Sequence, residues 1–203
     1  MRTIMKDVVS EITTGQIMGR VTYTGKETPD ENRSEIRVLV PSAMAGGIVH
    51  KDNTGTAILK KTPTPNKITM EGDIIIKLSS PYDCALLTRE DEGMLIPSFC
   101  GLLRGIRSDI VYPRFLLGYL NSDYARGQLL KGVNSSATSM VRQHSLQELE
   151  LILPNLAEQI LIGDAYWYSC QKKAMYEKFA QVQQRISDSV IQTSIQEVSR
   201  RGD

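Results

Sequence analysis

The sequence is poor in the residues that staple or activate small proteins. Three cysteines, Cys84, Cys100 and Cys170, are scattered without Cys-x-x-Cys spacing, which argues against both a disulfide framework and a zinc site. They read as buried free thiols. Two histidines, His50 and His144, are too few for a histidine-rich metal centre, so no metal is expected. No segment nears the roughly 20 apolar residues that cross a bilayer. Met1-Arg-Thr-Ile-Met-Lys-Asp7 lacks the apolar run of a secretory signal, so a cytoplasmic protein with no membrane attachment is expected. Finally, no proline follows Pro154, and Gly163 is the only glycine between it and Gly202.

That last absence leaves room for one uninterrupted helix. Asn155-Leu-Ala-Glu158 has the form of a capping box, with a side-chain acceptor at the first position and a glutamate three residues on. Gln, Ala, Lys and Glu fill the positions between the apolar residues and favour helix. Roughly 45 residues at 1.5 Å each make a rod of about 65 Å. A domain of about 150 residues is only some 30–40 Å across, so the rod is expected to project or find a partner. Leu161, Ala165, Tyr168, Lys172, Met175, Phe179, Val182 and Ile186 follow alternating steps of four and three, the spacing of a coiled-coil seam. Lys172 is a polar seam position suited to fixing register. Beyond Ile186 the register weakens at Ser189 and Thr193 and is partly resumed by Val190, Ile191 and Ile195. Tyr166, Trp167 and Tyr168, near the base, read as core or helix-packing residues.

What precedes the rod is long enough to bury a core of its own. The expected organisation is a domain over residues 1–154 and a helix over 155–203. Net charge is only +1, but it is unevenly spread. Between Gly101 and His144 six basic residues (Arg104, Arg107, Arg114, Arg126, Lys131 and Arg142) face two acids, Asp109 and Asp123. Such a stretch is a weak pointer to phosphate, since a solvated face accounts for it equally well.

In chain order, Asp7–Ile12 suits a short helix or strand, and Thr13-Thr-Gly-Gln16 a turn into a β-rich run, Arg20–Thr24. Lys26 to Arg33 is a loop. Ile36–Val40 reads as a buried strand stopped by Pro41, with another short strand at Gly46–Val49. Lys60–Lys67 carries two prolines and three lysines and must be an exposed loop. Ile74–Lys77, Cys84–Thr88, Met94–Ile96 and Phe99–Leu103 are short strands, and their density indicates a compact, irregular β core. Pro113 opens a helix through Leu120, and Ser122 caps a second one to Lys131, closed by Gly132. Residues 133–144 form a loop rich in hydroxyls and amides, ending in Arg142-Gln143-His144. Ser, Thr and Asn bond phosphate oxygens, and Arg or Gln make paired contacts to purine edges. Ser145–Glu148 has a second capping-box pattern, and Leu149, Leu151 and Leu153 mark a strand delivering the chain into the rod. The expected fold is α+β: a compact mixed domain of short strands and helices followed by one long coiled-coil helix.

Three pieces in this order resemble the specificity (S) subunit of type I restriction-modification systems. They are Glu71-Gly-Asp-Ile-Ile-Ile-Lys77, Tyr112-Pro-Arg-Phe-Leu-Leu-Gly-Tyr-Leu-Asn-Ser122 with its following helix, and Leu149-Glu-Leu-Ile-Leu-Pro-Asn-Leu-Ala-Glu-Gln159. The resemblance spans about residues 5 to 195 and implies a target-recognition domain for double-stranded DNA attached to a spacer helix. Complete members of the family carry two such domains and two such helices, and this chain resembles one half. A homodimer through the helix, or pairing with a second half-subunit, is therefore expected, as is a divided recognition site. The resemblance also implies its partners: a modification subunit that methylates adenine with S-adenosylmethionine after flipping the base, and a restriction subunit that translocates DNA. No cofactor is expected in this chain.

Nor is a catalytic centre. Ser80-Pro-Tyr-Asp83 lacks the second proline and the leading amide or acid of a methyltransferase's catalytic run and reads as a β-turn. Asp73 and Lys77 are wrongly spaced for a nuclease, and two histidines in poor contexts support no triad. The candidate DNA contacts are Arg142, Gln143 and Ser139, followed by Asn134, Arg104, Arg107 and Lys61. The alternative is a coiled-coil scaffold protein without DNA specificity.

Overall fold

A computed structural model of the chain describes residues 1–23, 34–131 and 140–201. It divides into two compact units, Met1–Trp167 and Tyr168–Asp203. The boundary falls inside the long helix rather than at its start.

The first unit is built on a four-stranded antiparallel sheet of β2 (Val9–Thr14), β9 (Cys100–Ile106), β7 (Ile74–Lys77) and β8 (Cys84–Leu86), adjacent in that order. Its pairing explains the unbroken isoleucine run. Ile74 lies opposite Leu103 and Leu86, while Ile75 lies opposite Leu102 and Ala85. Successive side chains point to opposite faces, and both faces are covered, so neither parity is free to be polar. Ile74, Ile76 and Leu103 join one core with Met5, Leu116, Leu120, Leu146 and Trp167. Ile75, Leu102 and Ala85 join another with Leu39, Met44, Leu87 and Met94. Each fully buried isoleucine contributes about 2 kcal/mol of transfer free energy.

Smaller pieces surround this sheet. β1 (Arg2–Ile4) pairs antiparallel with β10 (Glu150–Ile152), β3 (Glu35–Val38) with β6 (Gly55–Ile58), and β4 (Met44–Ala45) with β5 (Ile48–Val49). The ambiguous segment at Asp7 resolves into both forms, a helical turn α1 (Met5–Val8) running into β2. Helices α2 (Pro113–Leu120) and α3 (Asp123–Leu130) follow β9, and the Ser122 hydroxyl accepts from the Ala125 amide, the expected cap. The Ser80–Asp83 segment is a turn in which the Tyr82 amide donates to Ser79 O, 2.9 Å.

Three local expectations change. Met94–Ile96 forms no strand; Leu95 alone bridges Val38 and Ile68, because Gly93 at φ +79° and Pro97 leave no length to pair. The β-rich run expected over Arg20–Thr24 begins in a tight helical turn, Met18–Arg20, and among its described residues only Thr22 bridges, to Leu59; Thr24 lies outside them. The capping box at Ser145–Glu148 is not made. Helix α4 (Gln143–Gln147) has its N-cap at Arg142, three residues earlier, and the Glu148 carboxylate accepts from Lys6 instead, 2.8 Å. The loop at 26–33 and the Gly132 turn lie outside the described residues.

The box at Asn155 is made in full: Asn155 Oδ1 accepts from the Glu158 amide at 3.0 Å, and Glu158 Oε2 from the Asn155 amide at 3.1 Å. From it runs α5, Leu156–Arg201, unbroken. Its first turns are locked to the start of α2 within the first unit. Gln159, which is buried, accepts from the Tyr112 amide at 2.9 Å and donates to Ile110 O and Pro154 O. Gly163 lets the backbones meet: a Cβ there would lie 2.5 Å from Phe115 N and 2.9 Å from Arg114 C. Asp164 receives the Tyr112 hydroxyl at 2.8 Å and Arg114 at 2.7 Å. Trp167 is buried under the Arg114 guanidinium, 5.5 Å from the ring centroid.

In the second unit the helix is exposed on all sides from Met175 onward. The seam residues Tyr168, Met175, Phe179, Val182 and Ile186 are all exposed, and so are Val190, Ile191 and Ile195. Leu161 and Ala165, the seam's first members in the preceding unit, are exposed as well.

Candidate nucleic-acid interface

β2 is an edge strand of the main sheet, and an open edge has unpaired carbonyls that must be satisfied or shielded. Here long polar side chains do it. Gln143 Nε2 donates to Ile12 O at 2.6 Å. Lys67 Nζ donates to Thr14 O and to Thr13 Oγ1, both at 2.6 Å. Asn66 Nδ2 donates to Glu11 Oε1 at 2.8 Å, and the Thr64 amide reaches Gln16 Oε1 at 3.4 Å. Two segments singled out from sequence, the lysine-rich loop at 60–67 and the start of α4, thus run along one strand. Burial holds the Lys67 ammonium below its ordinary pKa, as befits a lysine spent on the fold.

Arg142 is the exposed N-cap residue of α4, and no other described residue pairs with its side chain. Its neighbour Val141 donates its amide to Leu78 O at 2.7 Å, which ties the backbone beside Arg142 to the residue after β7. Lys61 is exposed on the same loop as Lys67. Gln143 lies beside Arg142, but its amide nitrogen is committed to the edge of β2. Asn134 and Ser139 lie outside the described residues.

Arg104 and Arg107 are placed elsewhere. Arg104, opposite Glu11 in the β2–β9 register, turns its guanidinium onto Asp73 and Ile68 O. The hydrogen bonds to Asp73 raise its pKa further, against the opposing effect of burial. Arg107 sits at the far end of β2, its amide on Val8 O and its side chain on Asp109 at 3.1 Å. The basic surplus of residues 101–144 is largely cancelled by the fold. Arg104 faces Asp73, Arg107 faces Asp109, Arg114 faces Asp164, and Arg126 faces Asp83. Lys131 and Arg142 are left as the cations of the six with no acidic partner among the described residues, while Arg107 is exposed beside Asp109. Counting charges along the chain missed this because three of the four acids lie outside the counted stretch.

Asp83 also accepts from Lys77 at 3.0 Å, so Lys77 and Asp73 serve separate ion pairs and form no nuclease-like group. Burial pushes the Cys100 thiol up to about 12 and Cys84 higher still, leaving both unreactive at neutral pH. Among the described residues no group of His, Cys, Asp and Glu is arranged to hold a metal, and no helix is long and apolar enough to cross a membrane.

This mixed arrangement of strands and helices followed by one long C-terminal helix has a fold like that of HsdS specificity subunits of type I restriction-modification systems. The chain is similar to the HsdS subunit from Thermoanaerobacter tengcongensis, with a TM-score of 0.60 and 16% identity over 90% of this chain and 43% of that one. It is also similar to a chain from a structure describing complex assembly and conformational transition of the type I R-M system. There the TM-score is 0.63 and the identity 16%, over 98% of this chain and 49% of that one. The chain therefore spans less than half the length of either. No family model matches its sequence, and no curated protein does.

Proposed function

We propose that the chain is a sequence-specific DNA-recognition subunit, equivalent to half a specificity subunit, of a type I restriction-modification complex. The observation supporting this is the shared HsdS fold across nearly the whole chain, matched to about half of each neighbour. In this reading the chain does no chemistry. It brings a methyltransferase subunit, which holds S-adenosylmethionine, and a restriction subunit to a bipartite site on double-stranded DNA in the cytoplasm. Arg142 and Lys61 meet the duplex from the β2 edge; Asn134 and Ser139, outside the described residues, stay candidate contacts from sequence. Gln143, with its nitrogen engaged, supports Arg142, and Arg104 holds the domain together. Arg107 adds a backbone contact once it releases Asp109. Cations that displace counterions from phosphates make affinity fall steeply with salt.

The test is a gel-shift titration of the chain with its purified methyltransferase partner on a library of duplexes. One preferred divided sequence is expected. Binding without preference, or none, would favour the scaffold reading, in which the helix recruits a protein and the head ignores DNA.

A further inference from the structure

The apolar stripe of the second unit has one basic shoulder and one uncharged one. With Lys172, Phe179 and Ile186 on one line of the seam and Tyr168, Met175 and Val182 on the other, the flanking row on one side carries Lys178 and Arg185. The row on the other side carries Tyr176, Gln183 and Val190. Arg185 lines a shallow apolar groove with Val182, Ile186 and Val190. No carboxylate stands in either shoulder between Tyr168 and Gln192. The acids of this stretch face outward and are occupied there: Glu177 lies 3.9 Å from Lys173, and Asp188 accepts from Gln184 at 2.8 Å.

A second copy of the chain is a poor match for such a surface. In a parallel pair Lys172 meets its twin inside the seam, while Lys178 and Arg185 face only Gln183 and Val190 of the partner. In an antiparallel pair the Lys178 and Arg185 rows face each other, and like charges repel. We infer that the arm is built for a different chain: an amphipathic helix with carboxylates along the rim opposite Lys178 and Arg185 and facing Lys172. This rests on the reading of the arm as a pairing helix given above. It selects heterologous pairing over a homodimer, and so an asymmetric recognition site over a palindromic one.

The test needs no DNA. A full-length variant, K172E/K178E/Q183E/R185E, keeps the apolar stripe and supplies the acidic rim in either helix orientation. Sedimentation velocity at low salt is expected to show wild type and variant each monomeric and their equimolar mixture a one-to-one complex. The mixture should associate at least about tenfold more tightly than wild type with itself and weaken as salt is raised. Adding Phe179→Asp to the variant should abolish the complex, with circular dichroism confirming that both chains stay helical. Wild type that self-associates as tightly as the mixture overturns the inference while leaving the DNA-recognition reading intact. A mixture that stays monomeric overturns both the inference and the arm as a pairing surface, and survival of the complex with Phe179→Asp places the contact off the stripe and overturns it too.

Discussion

Arg104 grips Asp73 at two points, Nε to Oδ1 at 2.9 Å and Nη2 to Oδ2 at 2.6 Å, across a side chain that is only 2% exposed on the aspartate. Asp73 Oδ2 also accepts from the Met70 amide at 2.8 Å, and the remaining arginine bond goes to Ile68 O at 2.7 Å. One ion pair thus ties the middle of β9 to the Glu71-Gly72-Asp73 turn, where Gly72 supplies the positive φ of +81°. A guanidinium held this way stabilises the main sheet.

Arg104→Met should accordingly lower stability by about 3 kcal/mol, because it strands a buried carboxylate rather than removing a neutral pair. The urea midpoint should fall with an unchanged slope. Base preference in the assembled complex should persist at temperatures where the variant is folded. An unchanged midpoint would show that the pair contributes nothing net.

Much of this framework can be read from the chain, for a physical reason. Ile74-Ile75-Ile76 announces a strand buried on both faces whatever its neighbours are, and Asn155 with Glu158 fixes a helix start within four residues. Both signals are local. Arg104 with Asp73, Gln143 with Ile12 O and Glu148 with Lys6 join residues far apart in sequence, so nothing nearby marks those polar side chains as occupied. For that reason the candidate contacts were only partly legible: composition identifies arginines, whereas the fold decides which are free. Gln159 carried a signal, its place after the capping box, but not its three hydrogen bonds.

The junction of α5 with α2 should respond sharply to one methyl group. Gly163→Ala puts a Cβ against backbone atoms of Arg114 and Phe115, which cannot rotate away. Its overpacking cost of about 1–3 kcal/mol exceeds the gain of about 1 kcal/mol from helix propensity. Gly118→Ala meets only the Tyr166 ring, at 3.1 Å, and a side chain can give by tenths of an ångström. Thermal unfolding should therefore rank Gly163→Ala below Gly118→Ala, and the reverse order would show that the helices are not packed backbone to backbone.

Acid should loosen the same junction. Hydrogen bonds from Arg114 and then Tyr112 hold the Asp164 carboxyl below its usual value of 3.8. A depressed carboxylate stabilises the fold at neutral pH, begins to lose that contribution as pH falls to its unfolded value, and has lost it below the folded one. The stability difference between wild type and Asp164→Asn should be constant near neutral pH and shrink as pH falls through and below the carboxyl's usual value of 3.8. A difference that grows on acidification would contradict the assignment.

Arg142 and Gln143 are adjacent, yet their loss should separate function from stability. Arg142 is exposed and unpaired among the described residues, so Arg142→Gln should alter stability by less than about 0.5 kcal/mol. Gln143→Ala removes the donor on Ile12 O and should cost about 1 kcal/mol. In DNA binding the order reverses. Arg142→Gln should weaken the preferred duplex by about 1–3 kcal/mol and relax one position of the site if the guanidinium reads a guanine. If it grips a phosphate, all duplexes should weaken alike and the salt slope should drop by about one. Full affinity and unchanged preference in Arg142→Gln would remove Arg142 from the interface and leave exposed Lys61 as the cation proposed to meet DNA from the β2 edge.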